Sequence, residues 1–104
     1  MGKIIVICGK PETGKTNIAK QITKGKKAVW VPYFEIKSPF AFSSVSTETE
    51  VIVFDGLTDK NREQVRNIIS SEKISIQKKG VKEKEVIAPD MIFIFDSLKG
   101  VFIY

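Results

Sequence analysis

A chain of 104 residues with 42% hydrophobic and 28% charged residues has the size and composition of one globular domain, 1–104, with a core but no second folding unit. With no histidine and a single cysteine, Cys8, imidazole catalysis, an internal disulfide and a zinc site are excluded. The net charge of +5 is a lean rather than a basic tail: residues 1–30 carry seven lysines and one glutamate, residues 31–72 four basic and seven acidic groups, and residues 73–104 six lysines and four acids. A phosphate-rich partner is favoured, but nucleic acid is not required to explain the first block.

The first element is Lys3-Ile4-Ile5-Val6-Ile7-Cys8, a β-branched run that predicts a buried parallel strand with Cys8 as a small buried side chain. It runs straight into Gly9-Lys10-Pro11-Glu12-Thr13-Gly14-Lys15-Thr16, which fits G-x-x-x-x-G-K-[ST], a loop that cradles nucleotide phosphates. The spacing has a physical reason. Gly9 and Gly14 permit backbone angles that turn successive N–H groups towards an anion at a helix start. Lys15 then reaches the β and γ phosphates and the Thr16 hydroxyl reaches Mg²⁺. A Gly-rich turn with no ligand fits the same residues. Ile18, Ala19 and Ile22 fall on one helical face, and Gly25 stops that helix near Lys24, Lys26 and Lys27.

Ala28-Val29-Trp30-Val31 predicts a second strand, ended by Pro32. Residues 33–50 are too apolar for a free loop, with Tyr33, Phe34, Ile36, Phe40, Phe42 and Val45, yet Pro39 and the Ser/Thr run argue against a long helix. An irregular segment packed over the sheet is expected. Its aromatic residues suit core packing, with stacking on bases or on adenine as the alternative. Val51-Ile52-Val53-Phe54-Asp55 is a buried strand ending in a carboxylate, at the sheet edge where open α/β folds bind ligands. Asp55 would hold Mg²⁺ opposite Thr16, or else start a turn with Gly56. Asp59 predicts an N-cap for a helix over about 60–72, with Val65, Ile68 and Ile69 inward. Arg62 and Arg66, the only arginines, read as a solvated face, with reach into a neighbouring subunit's nucleotide as the alternative.

Residues 74–87 alternate, turn at Lys79-Gly80 and alternate again, which predicts a β-hairpin. Its tip lysines, Lys78, Lys79, Lys82 and Lys84, suit both protection of a strand edge and contact with nucleic acid. Met91-Ile92-Phe93-Ile94-Phe95 predicts another buried strand with Asp96 and Ser97 at its end, and residues 101–104 a last strand. No apolar run approaches the ~20 residues of a membrane span and no signal peptide precedes Lys3, so a cytoplasmic protein without a membrane partner is expected.

In this order the elements resemble the nucleotide-binding core of AAA+ ATPases, and most closely the superfamily 3 helicases of viruses and mobile elements. The loop Gly9-Lys10-Pro11-Glu12-Thr13-Gly14-Lys15-Thr16 is similar to their G-x-P-x-T-G-K-[ST] form. The resemblance implies that Asp55 is the Walker B aspartate. It also implies that the hairpin lysines contact single-stranded DNA in an oligomeric ring, and that Asp96 or Ser97 is the polar sensor at the γ-phosphate. Two departures stand out. The second acid after the Walker B aspartate is replaced by Gly56, with Asp59 the nearest substitute, and no arginine follows the sensor strand. The expected fold is a three-layer α/β P-loop core, mostly parallel, with five strands in the order 5-1-4-3-2 and the hairpin inserted before strand 4, projecting from one end. The expected function is Mg²⁺-dependent ATP binding with slow hydrolysis at most, acting on nucleic acid. The alternatives are a non-hydrolysing nucleic-acid-binding module that uses the basic hairpin and, last, a small-molecule kinase.

Overall fold

The computed structural model describes residues 2–9, 14–38, 41–71, 73–76, 80, 82 and 84–96. Four parallel strands, β1 (Ile4–Gly9), β2 (Ala28–Pro32), β3 (Val51–Leu57) and β6 (Asp90–Asp96), form one sheet in the order β1-β6-β3-β2. The helices α1 (Lys15–Ile22) and α2 (Arg62–Ser70) contribute to the clusters on its two faces, and the hairpin strands β4 (Lys73–Ile76) and β5 (Lys84–Ile87) pair antiparallel as a separate two-stranded sheet. This is an α/β fold with a mostly parallel sheet. The fifth strand expected at residues 101–104 lies outside the described residues.

Burial on both faces explains why β3 and β6 occupy the middle. Met91, Ile92, Phe93, Ile94 and Phe95 are all buried, as are Val51, Ile52, Val53 and Phe54. Strand alternation splits them between two cores. On one face Val51, Val53, Ile92 and Ile94 pack with Ala19 of α1. On the other, Ile52, Phe54, Leu57, Phe93 and Phe95 meet Val65 of α2. The Phe54 and Phe93 rings stack there with centroids 4.8 Å apart.

Several local expectations are corrected. Ala19 is fully buried, but Ile18 is half exposed and Ile22 is also exposed, because the inward-facing residues of α1 are Lys15 and Ala19. Cys8 is exposed. It follows Val6 on the α2 side of β1, and the core there reaches Ile4 and Val6 but not Cys8. Asp59 does not cap the second helix: Thr58 caps a 3-10 turn over Asp59–Asn61, accepting from Lys60 N–H at 3.4 Å while Asn61 Oδ1 accepts from Thr58 N–H at 3.0 Å. That reciprocal pair satisfies donors at the turn start before α2 continues. The hairpin does not merely project, since Ile74, Ile76 and Val86 join the α2-side core.

The irregular segment divides in two. Ile36, Ala41 and Val45 are buried and Phe42 packs edge-on against Phe54, with centroids 6.1 Å apart, so these residues are core as expected. Tyr33 and Phe34, in a 3-10 turn directly after β2, are 52% and 69% exposed, so core packing does not explain them.

Candidate nucleotide site

The site forms where β1, β3 and β6 end together. β1 finishes at Gly9, which pairs with Asp96 at the end of β6. The chain re-enters at Gly14, whose φ of 86° and ψ of 11° lie in the left-handed region that glycine adopts without a Cβ penalty. Gly14 is the N-cap of α1 and makes no side-chain cap, so the first backbone N–H groups of that helix have no intrahelical partners. Lys10, Pro11, Glu12 and Thr13 lie outside the described residues.

Lys15 is the anchor of the site. Its side chain is only 6% exposed, and Nζ donates to the Gly9 carbonyl at 3.0 Å and pairs with Asp96 Oδ1 at 3.0 Å. An ammonium buried to this extent needs such partners, because desolvation of an unpaired charge is costly. Asp96 is 31% exposed, and alternation along β6 puts it on the α1 face with Ile92 and Ile94. Asp55 is half-buried, in register with Pro32 of β2, and shares that face with Val51 and Val53. Thr16, half-buried, follows Lys15 in the first turn of α1. Of the residues expected to meet phosphate and metal, Lys15 joins Gly9 and Asp96 directly, and Asp55 lies on the same face of the sheet as Asp96.

Gly56 carries the clearest structural signal. The β3–β6 register shifts between Phe54 and Leu57, and Gly56 takes φ 77° within that irregularity. A Cβ built on it would lie 2.9 Å from Tyr33 Cδ1. Both backbone angle and space disfavour a side chain here, which is the position where the resemblance calls for a second acid.

Beside Asp96 opens a cavity of about 660 Å³. Asp59 and Asp96 share its wall, so the structure brings the substitute acid and the sensor candidate to one space. Tyr33, Phe34, Lys37 and Lys60 also line it, a group that sequence alone does not assemble. Their only signal in sequence is the pair of aromatic residues directly after a strand-ending proline. Arg62 and Arg66 are exposed on α2. On the hairpin, Lys82 and Lys84 are exposed, whereas Lys78 and Lys79 lie outside the described residues, as does Ser97. Among the described residues, no three Asp, Glu or Cys side chains gather as a metal cluster, and no helix is long and apolar enough to cross a membrane.

An RNA helicase family model matches residues 5–95. No curated protein matches. Two solved apo structures of the NrS-1 C-terminal region, both of its A form, are similar in fold. One has a TM-score of 0.58 at 21% identity and the other 0.60 at 20%, each over 90% of this chain. The chain spans 23% of the length of either. The matched region runs from Ile5 in β1 to Phe95, one residue short of Asp96 at the end of β6, and takes in the ends of β1 and β3.

Proposed function

Since the chain belongs to the RNA helicase family as a helicase-like nucleotide-binding domain, we propose that it binds ATP with Mg²⁺ through the 9–16 loop and acts on single-stranded nucleic acid. The observation that carries this reading is Lys15, a buried cation held 3.0 Å from Gly9 O and 3.0 Å from Asp96, directly beside the α1 N-terminus. On arrival of a triphosphate, the Lys15 ammonium exchanges the Asp96 carboxylate for β and γ phosphate oxygens. Thr16 and Asp55 are hard oxygen donors on the same side of the sheet, the kind of sparse set that holds Mg²⁺ together with phosphates and water. Mg²⁺, when bound, neutralises charge on the phosphates. Asp96, released from Lys15, accepts a hydrogen bond from a water beside the terminal phosphate, while Ser97 is the second sensor candidate. Asp59 is the remaining acid in reach of the same cavity.

With no carboxylate at Gly56, turnover by this domain alone stays below about 1 s⁻¹, the lower end of ordinary enzymes. A supply of cationic groups from a second copy in a homo-oligomer would raise it. Phosphate release with and without single-stranded DNA tests the hydrolytic part. Turnover above that value, abolished in Asp59→Asn, would overturn the assignment of a weak base. A second reading, a non-hydrolysing nucleic-acid-binding module using Lys78, Lys79, Lys82 and Lys84, is favoured by the crowded, left-handed Gly56. It requires salt-dependent strand binding that falls when those lysines are neutralised, with or without ATP.

A further inference from the structure

We propose that the cavity beside Asp96, which adjoins the nucleotide site and shares that residue with it, holds a nucleobase carrying a phosphate. The proposal rests on the reading of this chain as a protein that handles nucleic acid, and it adds the place where one nucleotide of the strand is gripped. Tyr33 and Phe34 supply the base platform. Their ring centroids lie 5.5 Å apart at an interplanar angle of 84°, and Tyr33 is steadied by its close approach to the bare backbone of Gly56. Phe34, 69% exposed, thus keeps its ring open for stacking. An aromatic face left in water at a cavity rim is suited to a planar partner, because stacking needs a π-face and little sequence-specific contact.

Charge selects the rest of the ligand. Lys37 and Lys60, both exposed, line the same cavity as the two rings. Of the two carboxylates on the wall, Asp96 is paired with Lys15 at 3.0 Å while the 9–16 loop holds no nucleotide. Lys37 and Lys60 then stand against Asp59, which leaves positive charge in excess for one phosphate among the described lining residues. The Asn61 amide is fixed by its bond to Thr58 N–H, so the wall next to it is preorganised rather than loose. A volume of about 660 Å³ lies within the range of small-ligand sites and admits a single nucleotide unit. Among the described hairpin lysines, neither Lys82 nor Lys84 lines this wall.

The test is fluorescence anisotropy of a fluorescein-labelled oligothymidylate with wild type, Phe34→Ala, the double variant Lys37→Ala/Lys60→Ala, and Lys82→Ala/Lys84→Ala. Calorimetry with thymidine 5′-monophosphate runs in parallel. Phe34→Ala is expected to lower oligonucleotide affinity about ten-fold, and its high exposure keeps folding intact, as circular dichroism verifies. Neutralising Lys37 and Lys60 lowers affinity and reduces the salt slope by ~1 for each phosphate no longer engaged. If the monophosphate binds as tightly as the strand, with the same dependence on Phe34, the site stands and its ligand is a free nucleotide. Folded Phe34→Ala and Lys37→Ala/Lys60→Ala proteins with wild-type affinities, or a wild type that binds neither probe, overturn the proposal. Mg²⁺-ATP titrated into the same proteins reports on the 9–16 loop, so failure of ATP to bind there is read separately from failure of the cavity.

Discussion

Lys15 and Asp96 set the nucleotide site against itself, since the carboxylate occupies the cation that a phosphate would take. Asp96→Asn removes the competing charge and leaves the buried ammonium leaning on Gly9 O. The ligand-free protein is expected to lose about 1 kcal/mol, a value held down by the partial exposure of Asp96. Mg²⁺-ATP should then raise the thermal midpoint of Asp96→Asn more than that of wild type, because nucleotide no longer displaces a carboxylate. Equal shifts in scanning calorimetry would show that Asp96 does not compete. Gly56 makes the opposite point about restoring a missing residue. Gly56→Glu would supply the acid of the resemblance, but at φ 77° and 2.9 Å from Tyr33 it is expected to cost ~1–3 kcal/mol, measured by urea unfolding, without a gain in turnover.

At the scale of elements, burial on two faces made β3 and β6 legible, because a run such as Met91-Ile92-Phe93-Ile94-Phe95 has no polar side to reconcile with solvent. Phe93→Ala, at the stacked centre of the larger core, is expected to cost ~3–5 kcal/mol in urea unfolding, a large share of the stability of a domain this size. Alternation made the hairpin base legible for a similar reason, with Ile74 and Ile76 inward and Lys73 outward. Helix faces were harder. The α1 pattern of Ile18, Ala19 and Ile22 does not reveal that Lys15 claims the inward face. The Thr58 cap was hidden because Asp59, next to it, is an equally good capping residue, and only backbone geometry chooses between them. Thr58→Ala is therefore expected to destabilise by ~1 kcal/mol, whereas Asp59→Ala leaves the capping interaction in place; thermal unfolding of the two separates the assignments. Composition treats Tyr33 and Phe42 alike, and it is the sharp turn after Pro32 that puts one at the cavity and the other in the core.

For the whole molecule, the phosphate-loop motif and the acid-ended strands located one sheet edge from sequence, while the joining of Lys15 to Asp96 and the cavity beside them depended on how residues distant in the chain converge. The positive balance of +5 is consistent with phosphate ligands at more than one place on this surface. Membership of the RNA helicase family covers nearly all of the described core, yet the chain spans 23% of the solved NrS-1 chains that share its fold. Its own ligand site is therefore the natural unit to measure. The most direct measurement is isothermal calorimetry of Mg²⁺-ATP into wild type and Lys15→Ala at moderate salt. Binding to wild type that is abolished in a folded Lys15→Ala protein is the result expected of a working phosphate loop. No binding to wild type, or equal binding to both, would contradict it.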